Sequence, residues 1–161
     1  TVAKGRVYLT DRVTAPEQQE RVHCFDAKTG APVWSYGYPC AYGGFAYANG
    51  PRAAVAIHDG RAYTIGSMGH VHCLNAVTGK VEWSHDCGKE YGIRMPDFGI
   101  TSDPFIDENR VLFQIGGEGA CVVAFDLKTG KEQWRSLEDR AGYAAPVFGA
   151  EGDVPVPGAN Q

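Results

Sequence analysis

The residues of this 161-residue chain best suited to chemistry lie in three connectors, rich in aromatic residues, glycine or charge. Residues 36–52 carry Tyr38, Tyr42, Tyr47 and Arg52. Residues 85–102 carry Asp97, Thr101 and Ser102. Residues 137–143 carry Asp139, Arg140 and Tyr143. Arg52 offers a planar fork of five N–H donors that suits a carboxylate or another anion, and the phenols combine an apolar ring with one polar tip. The competing expectation for Arg52 is an ion pair with Asp97 or Asp139. Asp97 could serve as metal ligand or general base, but an acid in a Pro-Asp-Phe-Gly turn ordinarily bonds to backbone. These residue types suit ligand recognition, and neither a catalytic residue nor a metal site is expected among them.

The other reactive side chains are scattered. Cysteines at 24, 40, 73, 87 and 121 form no CxxC pair, so buried inert thiols are expected, with a Cys40–Cys87 bridge as the weaker alternative. No two of the five histidines have metal-ligand spacing. Gly66-Ser-Met-Gly69 and Gly116-Gly-Glu-Gly119 read as hairpin turns, and neither opens a helix that could hold phosphate.

Those connectors separate copies of one unit. Val22-His-Cys-Phe-Asp-Ala-Lys-Thr-Gly-Ala-Pro-Val-Trp34 returns as Val71-His-Cys-Leu-Asn-Ala-Val-Thr-Gly-Lys-Val-Glu-Trp83 and as Val122-Val-Ala-Phe-Asp-Leu-Lys-Thr-Gly-Lys-Glu-Gln-Trp134. Each copy reads as strand, turn, strand. Asp26, Asn75 and Asp126 end the first strand because an Asx side chain can bond backbone two residues on. The glycine of each Thr-Gly pair suits a left-handed turn position. A further strand precedes each copy (5–10, 60–65, 109–115), and innermost strands are expected at 53–57 and 103–106. Four short antiparallel strands per repeat make a propeller blade. Trp34, Trp83 and Trp134, one per repeat, are expected to fill the wedge between adjacent blades.

The fold class is therefore all-β. A partial propeller spans 1–150, with blade parts at 5–35, 51–85 and 101–136, the first strand of another blade at 143–149, and a turn-rich tail at 151–161. The first blade should lack its innermost strand. About three blades' worth is fewer than the four to eight of closed propellers. That shortfall is expected if the chain is a segment of a longer protein. If it is complete, open blade edges could join copies into a homo-oligomer. A formal charge of -4 without a basic patch excludes a nucleic-acid surface, and no apolar run is long enough for a transmembrane segment.

The repeated Val-x-x-Phe/Leu-Asp/Asn-x-x-Thr-Gly-x-x-x-Trp element resembles the repeat of the pyrroloquinoline-quinone-like (PQQ-like) propellers. That group includes quinoprotein alcohol dehydrogenases and the outer-membrane assembly lipoprotein of the same fold. The connectors around Tyr47–Arg52, Pro96–Ser102 and Asp139–Tyr143 are similar to those of large, mostly uncharacterised bacterial proteins abundant in planctomycetes. The resemblance implies a periplasmic or secreted location. It is weak for activity, because the repeat belongs to the scaffold.

Two functions follow as expectations. The first is a non-catalytic scaffold that binds a protein, peptide or glycan through its loop face and needs no cofactor. The second is part of a PQQ- and calcium-dependent alcohol or sugar dehydrogenase. Quinoproteins of that kind characteristically use adjacent cysteines, which this chain lacks.

Overall fold

The computed structural model describes residues 1–44, 46–47 and 49–146. Three four-stranded antiparallel sheets follow one another along the chain as an open propeller. The first contains β1 (Val2–Ala3), β2 (Arg6–Val13), β3 (Gln19–Asp26) and β4 (Pro32–Pro39). The second contains β5 (Ala56–His58), β6 (Arg61–Ile65), β7 (His70–Asn75) and β8 (Val81–Asp86). The third, after the short helix α1 (Cys87–Tyr91), contains β9 (Phe105–Asp107), β10 (Arg110–Gly117), β11 (Ala120–Asp126) and β12 (Glu132–Ser136).

The repeated turn forms as its residue types require. In every copy one Asx oxygen accepts from the Thr N–H and the Thr hydroxyl, at 2.9 Å each for Asp26–Thr29, 3.0 and 3.1 Å for Asn75–Thr78, and 2.8 Å each for Asp126–Thr129. Gly30, Gly79 and Gly130 then take φ of 71°, 72° and 68°. The registers agree as well. Trp34 faces Cys24, Trp83 faces Cys73 and Trp134 faces Ala124, each beside a register shift at the next residue. Cys24 and Cys73 also face Tyr8 and Tyr63 on the other side. A small side chain is needed between the tryptophan and a second large residue, Leu112 in the third blade, which explains why cysteine and alanine interchange there. All five thiols are free and buried, including Cys40 and Cys87.

Three expectations require correction. The first blade has four strands, because Val2 and Ala3 pair with Val7 and Arg6. That strand is too short to leave an alternating pattern. The ladders of the other innermost strands begin later than expected, at Ala56 and Phe105. Residues 87–91, read as loop, are helical: Asp86 accepts from Lys89 N–H at the N-cap, and Gly92 closes the helix at φ 60°. Five residues are too few to show helical periodicity. The further strand expected at 143–149 runs into residues outside the described ones, as does the 151–161 tail.

Blades meet through the tryptophans. The Trp34 indole N–H donates to Ala76 O at 3.0 Å, and Trp83 donates to Leu127 O at the same distance. Tyr8 and Tyr63 hydroxyls reach those same carbonyls at 3.2 and 3.1 Å. Each indole also lies against the turn glycine of the next blade: a Cβ on Gly79 would sit 2.7 Å from Trp34, and one on Gly130 would sit 2.6 Å from Trp83. The glycine thus serves the turn and the interface at once. Trp83 is 8% exposed inside a cluster with Tyr63, Phe113 and Phe125, whereas Trp134 is 37% exposed.

His72 is buried in the first interface. Its ring centroid lies 4.3 Å from that of Tyr38 and 5.2 Å from that of Tyr36. Its Nδ1 has no hydrogen-bond partner among the described residues. Burial, with His70 nearby, pushes its pKa down to about 3. Protonation is therefore favoured in the unfolded chain and opposed in the folded one.

Urea unfolding should separate the tryptophans. Trp83→Ala should cost about 3–5 kcal/mol, while Trp134→Ala should stay within about 1 kcal/mol of the parent. Equal losses would contradict the docking geometry. A pH series should show stability complete above about 6.5 and falling by about 1.4 kcal/mol per unit toward pH 5, ahead of carboxylate protonation. His72→Val, which copies Val123 of the third blade, should flatten that slope.

Candidate functional site

Two hairpin turns and three connectors build one end of the propeller. The turn around Gly66–Gly69 receives the first two connectors. Ser67 Oγ donates to Gly50 O at 3.3 Å, and Ile100 N–H donates to Ser67 O at 2.9 Å. Ala46 N–H donates to Asp97 O at 2.8 Å, which joins the connectors directly. Ser102 Oγ donates to Ala144 O at 3.2 Å and brings in the third.

Arg52 fastens this surface. One guanidinium nitrogen donates to Phe98 O and the other terminal nitrogen to Tyr47 O, each at 2.5 Å. It therefore bonds two backbone carbonyls rather than an acid, so the expected pairing with Asp97 or Asp139 is replaced by a clamp between connectors. Above it lie three rings. Tyr47 stacks on Phe98 with centroids 5.7 Å apart, and Phe98 meets Tyr143 edge-on at 5.4 Å. Tyr47, Phe98 and Tyr143 are 68%, 41% and 51% exposed. Apolar rings held together in water by backbone clamps form a stacking platform.

The other candidates divide. Ser102 is buried and structural in its bonding. Thr101 Oγ1 is buried without a partner among the described residues. Arg140 is exposed, and its carbonyl accepts from Cys121 Sγ at 3.5 Å. Tyr38, expected in the first connector, belongs to β4 and is buried. Strand β4 runs on to Pro39 because its partner β3 begins at Gln19, so the first connector starts later than its composition suggests.

Tyr38 instead belongs to a buried anchor that sequence reading missed. Glu20, 1% exposed, accepts from the Tyr38 and Tyr42 hydroxyls and from Ser67 N–H, the last at 3.0 Å. Arg12 lies 3.9 Å from the centre of the Tyr42 ring. A Cβ on Gly66 would collide with the Glu20 carboxylate and the Tyr38 hydroxyl. Desolvation and Glu20 together raise the Tyr38 and Tyr42 pKa values, so both phenols stay protonated donors. A carboxylate at a strand end resembles a solvated residue in sequence, and only the adjacent blade reveals its role.

Beside this anchor a cleft of about 920 Å³ opens between the first two blades, lined in part by Cys40, Met68, His70, Asp86 and Met95. Cys40 Sγ lies 3.7 Å from His70 Nδ1, and His70 Nε2 lies 3.8 Å from Asp86 Oδ2. Burial and the Glu20 charge raise the Cys40 pKa to about 12. These residues come from two blades, so no local spacing could have exposed them. Among the described residues, no three His, Cys, Asp or Glu side chains are grouped to hold a metal ion.

Comparison with solved structures gives the same architecture. Quinohemoprotein alcohol dehydrogenase from Comamonas testosteroni superposes with a TM-score of 0.58 at 21% identity, over 84% of this chain and 20% of that one. BamB from Moraxella catarrhalis gives 0.55 at 18%, over 83% and 40%. The computationally designed Ika4 protein gives 0.59 at 14%, over 92% and 77%. These identities establish fold alone, and the chain spans only a fraction of either natural protein. No curated protein matches it. The family model for outer membrane protein assembly factor BamB matches residues 18–157, most of the sequence. The chain belongs to this family of PQQ-like β-propellers.

Proposed function

We propose that the chain is part of a non-catalytic binding scaffold whose loop end captures a protein, peptide or glycan. The observation that carries this reading is the exposed Tyr47–Phe98–Tyr143 ring group, in which Arg52 ties the Tyr47 and Phe98 carbonyls together. Rings of this kind stack on a sugar face, a proline or an aromatic side chain, and their rigidity limits the entropy lost on binding. Arg52 uses two of its five N–H donors on the clamp and has three left to offer a carbonyl or an anion. It therefore combines a positioning role with direct recognition. The family relationship supports a periplasmic or secreted setting. Among the described residues, no helix is long and apolar enough to cross a membrane.

The dehydrogenase reading draws on structural likeness to quinoprotein alcohol dehydrogenases. The residues of this chain do not fit a quinone–calcium centre by themselves. It has no adjacent cysteines, and its described acids do not gather into a cation cage. Under that reading the ligands would come from other blades of a longer protein.

Panning the folded chain against a glycan array and a displayed peptide library should yield a ligand that depends on the platform. The Tyr47→Ala, Phe98→Ala, Tyr143→Ala triple variant should lose at least about tenfold in affinity, given roughly 0.5–1.5 kcal/mol per aromatic contact. Trp134→Ala should retain binding. Undiminished capture by the folded triple variant would overturn the assignment. Heat released on adding PQQ with calcium would favour the second reading.

A further inference from the structure

The cleft between the first two blades has a chemistry that the loop-end platform does not use. Its wall includes Cys40, His70, Met68 and Met95, and the Cys40 thiol lies 3.7 Å from His70 Nδ1. We propose that Cys40 and His70 form a binding site for a soft monovalent cation of the Cu(I) or Ag(I) class, completed by a thioether from Met68 or Met95.

The geometry supports a shared ion. Cys40 Sγ and His70 Nδ1 are 3.7 Å apart, close enough for one ion to bond both. The ring orientation also fits. Nδ1 faces the thiol, while Nε2 faces the Asp86 carboxylate at 3.8 Å, and metal-bound imidazoles commonly turn their second nitrogen toward such a partner. Asp86 is itself held by Lys89 at 2.6 Å, so the carboxylate has a fixed position.

Ligand type selects the ion. Thiolate and thioether donors favour Cu(I) and its silver analogue, whereas hard cations need several oxygens. A monovalent soft ion is satisfied by two or three donors, which is consistent with the lack of any larger group of His, Cys, Asp or Glu among the described residues. The thiol gives its proton to solvent when the ion binds, and the resulting metal–thiolate is neutral.

Silver is an air-stable probe that tests the site without any knowledge of the natural ligand. The folded chain should bind one Ag(I) in competition with a soluble thioether or thiol chelator. Cys40→Ser and His70→Gln should each weaken binding by at least about tenfold, and Asp86→Asn, which keeps the helix cap, should weaken it by about tenfold. X-ray absorption on the silver complex should report one thiolate sulfur, one imidazole nitrogen and a thioether. Circular dichroism melts would confirm that the variants remain folded. Equal silver affinity in folded Cys40→Ser and parent protein, or a sulfur-only environment from several cysteines, would overturn the proposal. The loop-end triple alanine variant should bind silver normally, so failure at either site is distinguishable from failure at the other.

Discussion

Each of the first two blades is held to the next by one indole that must satisfy two conditions together. Its N–H needs an acceptor, and its face needs a surface without a side chain. The Asx-x-x-Thr-Gly turn supplies both: the carbonyl after the Asx position takes the indole proton, and the glycine four residues beyond the Asx takes the ring. Interface and turn therefore cannot vary independently. A side chain at Gly79 or Gly130 would strain a left-handed backbone position and also displace the neighbouring blade. Tyr8 and Tyr63 share the same acceptors, so each carbonyl receives two donors.

That rigid stack makes the loop end usable. Connectors with this much glycine would otherwise lose considerable conformational entropy on binding. Here Glu20 fixes Tyr42 and the Ser67 turn, and Arg52 ties Tyr47 to Phe98. The proposed platform is thus tied together through its own backbone. The buried carboxylate achieves this with three neutral donors, an arrangement that satisfies the charge while keeping the two phenols oriented.

Sequence periodicity revealed the blades because the same physical demand recurs in each. Asx, Thr, Gly and Trp stand at fixed intervals, and the small residue at 24, 73 and 124 faces the tryptophan every time. Features set by a single contact were hidden. Val2–Ala3 makes a strand of two residues, and its pairing to β2 has no compositional signature. Tyr38 looked like a loop residue because its neighbours are glycine and proline, yet the long β3 partner extends the ladder through it. Arg52, Tyr47 and Tyr143 stand out in the connectors by residue type, whereas Phe98, the ring that joins the other two, does not. Cys40, His70 and Asp86 lie on separate stretches that only blade packing brings together.

The central claim is that two indoles are locked against neighbouring carbonyls while the third is open. Hydrogen exchange at the three tryptophan side-chain N–H groups, followed by NMR, tests it most directly. The Trp34 and Trp83 signals should persist long after the Trp134 signal has vanished in deuterated solvent. Three signals that decay together, or a Trp83 signal lost as fast as that of Trp134, would contradict the account.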